Sequence, residues 1–128
     1  NMETGYKFEI RNRVTEEDVA LTVGSGDLSV LATPRLLAWL EECCWRAVAE
    51  QIQEAASTVG TSVQLSHLAA SGLGAEVVCR AELVEVDRKL LRFAVEAHEG
   101  ELLVARGELE RFIVDRDSFL AKLADRKA

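Results

Sequence analysis

Residues 59–72 read VGTSVQLSHLAASG, and His67, one of only two histidines in the chain, closes an alternating run. The other members of its face, Val63 and Leu65, are apolar. An imidazole there can accept or return a proton near neutrality, or it can sit satisfied in a core. Gly60 and Thr61 open the same run. A glycine at that point lets a ligand carbonyl reach backbone N–H groups, or else it marks a bulge or bend. The doublet Glu41–Glu42 is the second source of chemistry. On a helical wheel of about 100° per residue, Glu41 falls inside the arc of Leu37, Leu40, Cys44, Val48 and Ile52. Glu42 falls among Arg35, Arg46, Ala49 and Gln53, with Arg46 four residues on. Glu42 therefore reads as a solvated surface residue. Glu41 reads as partly buried, so it must snorkel, take up a proton or pair with an arginine of the sheet. A carboxylate and an imidazole brought to one region can do acid–base work together. His98 lies beside a turn and is given no role.

The elements that must position these groups follow from periodicity. Residues 33–55 form a long helix, roughly 33 Å, with Thr33 as its N-cap and Pro34 at its first position. Ahead of it, residues 6–14 alternate as a strand, and residues 18–26 read as a second, shorter one. Behind it, period two takes over in four runs: 58–69, 75–87, 89–100 and 101–115. The short links at Asp87–Arg88 and Glu99–Gly100 favour hairpins, hence an antiparallel sheet. A terminal helix follows, capped by Asp115 or Asp117. Strands segregated from one long helix predict an α+β domain with that helix covering one sheet face.

Size and composition bound what the domain can be. The 128 residues, 48% hydrophobic and 29% charged, suit a single domain spanning 1–128 with one core. A net charge of −7 argues against nucleic-acid binding. Three cysteines, two of them adjacent, make neither a disulfide framework nor a zinc site, and a cytoplasmic location is expected. No metal or redox cofactor is implied. The first ten residues hold no apolar run and read as no signal peptide, with Asn1 before Met2 an expression remnant. The apolar stretch 36–48 carries Glu41, Glu42 and Arg46, so it is not expected to span a membrane.

Taken together, LATPRLLAWLEECCWRAV, GTSVQLSHLAAS and GELERFIV resemble the hotdog-fold acyl-CoA thioesterases of the fluoroacetyl-CoA thioesterase type, over roughly residues 28–114. The resemblance implies a sheet wrapped around a long central helix, with edge strands pairing two copies into a homodimer or a higher oligomer. It implies hydrolysis of a small acyl-CoA thioester, with coenzyme A entering as part of the substrate. It implies Thr33, Glu41 and His67 as the catalytic set, Gly60 beside the substrate carbonyl, and Arg111 at the substrate. Two departures stand out. GSGDLSVLA carries no aromatic where the fluoroacetyl-specific member has a phenylalanine lid, and Leu109 stands where relatives often have histidine. Preference for a fluorinated acyl group is therefore not expected. Thr33 and Glu41 lie eight residues apart, about 12 Å along a straight helix. Either the helix start bends, or two subunits share the site, or Thr33 is a cap alone. The rival readings are a non-catalytic acyl-CoA binder, an enoyl-CoA hydratase, and a structural dimer with a buried Glu41–His67 pair. Arg35, Arg88, Lys89, Arg106 and Arg111 are candidates for the phosphates of coenzyme A.

Overall fold

A computed structural model describes residues 2–126. Asn1, read above as a remnant, lies outside them. Strand β1 (Lys7–Arg13) leads through a 3-10 turn (Glu16–Asp18) and a one-turn helix α1 (Ala20–Val23) to the long helix α2 (Thr33–Ala49). Four strands follow, β2 (Ala56–His67), β3 (Glu76–Asp87), β4 (Leu90–Glu99) and β5 (Leu102–Asp115), then helix α3 (Arg116–Asp125). The strands form one antiparallel sheet in the order β1-β3-β4-β5-β2. The two hairpins form where the sequence placed them, with Arg88 and Gly100 both at φ 58° in the left-handed turn conformation.

The core lies between α2 and the inward sheet face. Leu36, Leu40, Cys43, Cys44 and Val48 recur at helical spacing and are fully buried. They meet Val77, Cys79, Leu83, Leu91, Phe93 and Ala97, which are equally buried. The outward face is charged. Arg80 pairs with Glu9 at 2.9 Å and Arg92 with Glu110 at 2.8 Å, solvent-screened contacts that add little to stability.

Three expectations are corrected. Residues 18–26 form turns, not a strand, because Thr15 and Asp18 cap one another and start a helical turn. Gly24, at φ 95°, then closes α1. Helix α2 stops at Ala49, since residues 50–55 must reverse the chain before β2 begins at Ala56. Ile52 is consequently a half-buried turn residue and not part of a helical arc. Thr33 is not the N-cap: Ala32 holds that position with no side-chain bond, and Pro34 follows in the helix's second place. Asp115, by contrast, caps α3 by accepting from the Ser118 N–H at 3.0 Å.

Two features of β2 position the site. On one side Gly107 of β5 lets the strands approach closely, for a Cβ there would lie against the Gln64 carbonyl and 2.9 Å from Leu65 Cα. On the other side β2 is a sheet edge with no neighbour, and residues Gly60–Gln64 are all exposed. Among the described residues no helix is long and apolar enough to cross a membrane.

Candidate active site

Thr33 is freed from capping because its side chain points elsewhere. Its Oγ1 lies 2.7 Å from His67 Nδ1, joining the start of α2 to the end of β2. The pair stands at a cleft of about 320 Å³ whose walls include Ala20, Val30, Leu31, Ala32 and Ala69. His67 Nε2 is buried and has no hydrogen-bond partner among the described residues. Burial holds the imidazole below its ordinary pKa, with the Ala69 backbone pulling the other way more weakly. The ring is therefore neutral at pH 7 and can accept a proton.

Glu41 belongs to a second cluster. Its Oε2 lies 3.2 Å from Arg111 Nη1, and a Cβ on Gly60 would stand 2.7 Å from that same oxygen. The sheet register shifts between Gly60 and Ser62, so the glycine marks a bulge as well as a space for the carboxylate. The wheel separated Glu41 from Glu42 by burial, yet their side chains are 37% and 41% exposed. Partners separate them instead. Glu42 pairs along the helix with Arg46 at 3.0 Å, as the spacing predicts, whereas Glu41 reaches across to an arginine of the sheet.

Arg111 does not face an open substrate space. Its side chain is 10% exposed, Nε donates to Thr58 Oγ1 at 2.9 Å, and Nη2 donates to the Thr58 carbonyl at 3.0 Å. A buried guanidinium must find acceptors, and Thr58 and Glu41 supply them. Thr58 escaped the sequence reading. The available signal was its place two residues before Gly60, on the same strand face.

Within one chain the two clusters do not meet, which corrects the expectation that Glu41 and His67 share one region. Thr33 meets His67 and Glu41 meets Gly60, so α2 and β2 run in opposite senses. Seven residues of extended chain, roughly 23 Å, separate Gly60 from His67. The helix is unbroken from Thr33, so no bent start closes that gap. Of the candidate phosphate ligands, Arg35 is tied to Asp18 at 3.3 Å and Arg88 to Asp87 at 3.5 Å. Among the described residues no group of three or more ligating side chains could hold a metal ion.

Comparison with known proteins adds to this geometry. The chain matches the FlK, or fluoroacetyl-CoA-specific thioesterase, family over residues 14–117. It is 32% identical over 94 residues to a fluoroacetyl-CoA thioesterase of Streptantibioticus cattleyicolor, covering 73% of this chain and 68% of the relative. A solved structure of the fluoroacetyl-CoA thioesterase FlK superposes with a TM-score of 0.93 at 25% identity, covering 100% of this chain and 99% of that one. A point variant of FlK in complex with acetyl-CoA matches equally, with a TM-score of 0.93 at 25% identity over 99% of this chain and all of that one. A hot-dog-like protein of Thermanaerovibrio acidaminovorans shares the fold, with a TM-score of 0.90 at 18% identity over 99% of this chain and 94% of that one. The antiparallel sheet curled about α2 is the hotdog fold.

Proposed function

The chain belongs to the fluoroacetyl-CoA-specific thioesterase family, and from that premise we propose that it hydrolyses a small acyl-CoA thioester to the free acid and coenzyme A. The observation that carries the catalytic reading is the division of the candidate residues. Thr33 with His67, and Glu41 with Gly60, stand at opposite ends of one open strand edge. Antiparallel pairing of β2 with β2 of a second copy, centred on Gln64, brings the bulge at Gly60–Ser62 opposite the second copy's His67. Each pocket of such a homodimer holds all four groups. Val63, 47% exposed in the single chain, is covered at its centre.

In that pocket the thioester carbonyl sits at Gly60, where backbone N–H groups stabilise the developing oxyanion. One such donor is worth about 2.7–4 kcal/mol of barrier. Neutral His67, with its hydrogen on Nε2, accepts at Nδ1 the proton of the Thr33 hydroxyl or of a water that displaces it. A water deprotonated in this way and directed by Glu41 attacks the carbonyl carbon and yields the free acid; an acyl group first taken by Glu41 or Thr33 is released when that water attacks the resulting anhydride or ester, which returns the side chain. When the C–S bond breaks, the departing thiolate recovers the proton from His67. Residues 24–32 contain no aromatic side chain, and mainly aliphatic groups wall the cleft, which suits a small acyl group without a preference for fluorine. A cytoplasmic setting suits three free, buried thiols.

The test is a panel of acyl-CoA esters with a thiol-reactive dye. We expect thiol release from at least one short ester. His67→Ala and Glu41→Ala should each lower kcat by about 10²-fold or more, with Glu42→Ala close to wild type. Binding of the esters without release of thiol from any of them would leave a carrier and overturn the reading.

A further inference from the structure

Among the described residues three polar or charged side chains are buried: Thr58, Ser71 and Arg111. Two of them hold each other. Thr58 lies on the inward face of β2, two residues before Gly60, and accepts from Arg111 through both its hydroxyl and its carbonyl. These contacts occupy Nε and Nη2, two corners of a rigid planar group. Nη1 is the corner left over, and it faces Glu41. Glu41 is 37% exposed, turns about three side-chain bonds, and has no other hydrogen-bond or ion-pair partner among the described residues.

We infer that Thr58 is a positioning residue: by fixing the Arg111 guanidinium at two corners it sets where the Glu41 carboxylate stands against Gly60. The inference rests on the hydrolysis proposed above and names a residue that reaction needs beyond Thr33, Glu41 and His67. The hydroxyl is the essential part. The carbonyl alone holds one corner and lets the guanidinium plane swing about it, and Glu41 swings with Nη1. The carboxylate oxygen stands 2.7 Å from where a Gly60 Cβ would lie, so it is seated close against the glycine in room that only a missing side chain provides. A shift of about 1 Å at a reacting group can cost on the order of 10²-fold in rate.

The experiment compares Thr58→Val, which keeps the shape and loses the hydroxyl, with Thr58→Ser, which keeps the hydroxyl. Thr58→Val should lower kcat about 10–100-fold on the best ester with KM within about twofold, and Thr58→Ser should restore most of kcat. Wild-type kcat in Thr58→Val overturns the inference. So does an equal loss in Thr58→Ser, which would assign the effect to the methyl group. A raised KM at unchanged kcat would assign it to substrate binding instead, and also overturns it. Should the valine variant not fold, Thr58→Ala admits a water to Arg111 Nε and is expected to show the same kcat loss, since a water fixes no direction. A crystal structure of the variant reads the placement without turnover. Glu41 should have left Gly60, carried away with Nη1, and a carboxylate found in place overturns the inference even if no ester is ever cleaved by the wild type.

Discussion

His67 carries a signature that can be read in solution. Burial lowers its pKa from the ordinary 6.5, so the proton-accepting form persists to more acid pH than in a free histidine. The kcat profile should stay flat through neutrality and fall on the acid side with a midpoint below 6.5. A midpoint above that value would mean the ring is not the base. Gly60 makes a different prediction. An alanine Cβ there meets the free end of Glu41 at 2.7 Å, which can move aside, and the fixed Arg111 Nη1 at 3.4 Å, close to ordinary contact. Gly60→Ala should therefore fold with a Tm within a few degrees of wild type while kcat falls at least about 10-fold. At this scale the sequence was half legible. The wheel turned Glu41 towards the sheet and Glu42 towards solvent, but the distinction it drew, burial, is absent from the single chain. The true distinction, an arginine arriving from β5, depends on a contact between residues 70 positions apart that no local pattern encodes.

At the scale of elements, period two located β1 to β5 within about two residues because each strand has one buried face and one wet face. It failed at 18–26, where the alternation of DVALTV coincides with a turn set by Thr15 and Asp18. The helical spacing likewise overran α2 by six residues, because nothing in EQIQEA breaks a helix and only the need to enter β2 does. Packing of α2 on β3 has a chemical corollary. Cys43 and Cys79 are pushed up to about 11 and about 12 by burial, and Cys44 further still. Their thiols should ignore a thiol-reactive dye at pH 7–8 in the folded protein, and all three should react once it is unfolded in guanidinium. Rapid labelling of the native protein would contradict this packing. The same inertness keeps the hydrolysis assay free of background.

For the whole molecule, the open β2 edge and the two separated clusters make one prediction. Mixing His67→Ala chains with Glu41→Ala chains and letting subunits exchange should return activity to about a quarter of wild type, since half the dimers then hold one intact pocket. No recovery after confirmed exchange would place the whole reaction within one chain. The family resemblance implied a homodimer, but from the residues themselves this level showed only as a conflict of lengths: Thr33 and Glu41, eight residues apart, could not both reach one atom from one straight helix. The close approach of Gly107 to β2 touches a practical question. Any side chain there would wedge β2 away from β5 and carry His67 and Gly60 with it, although Gly107 meets no reactant. A saturation screen scored on growth or turnover would thus rank that position beside His67, the proposed base. Only a parallel readout of protein abundance would reveal that the two are intolerant for unrelated reasons.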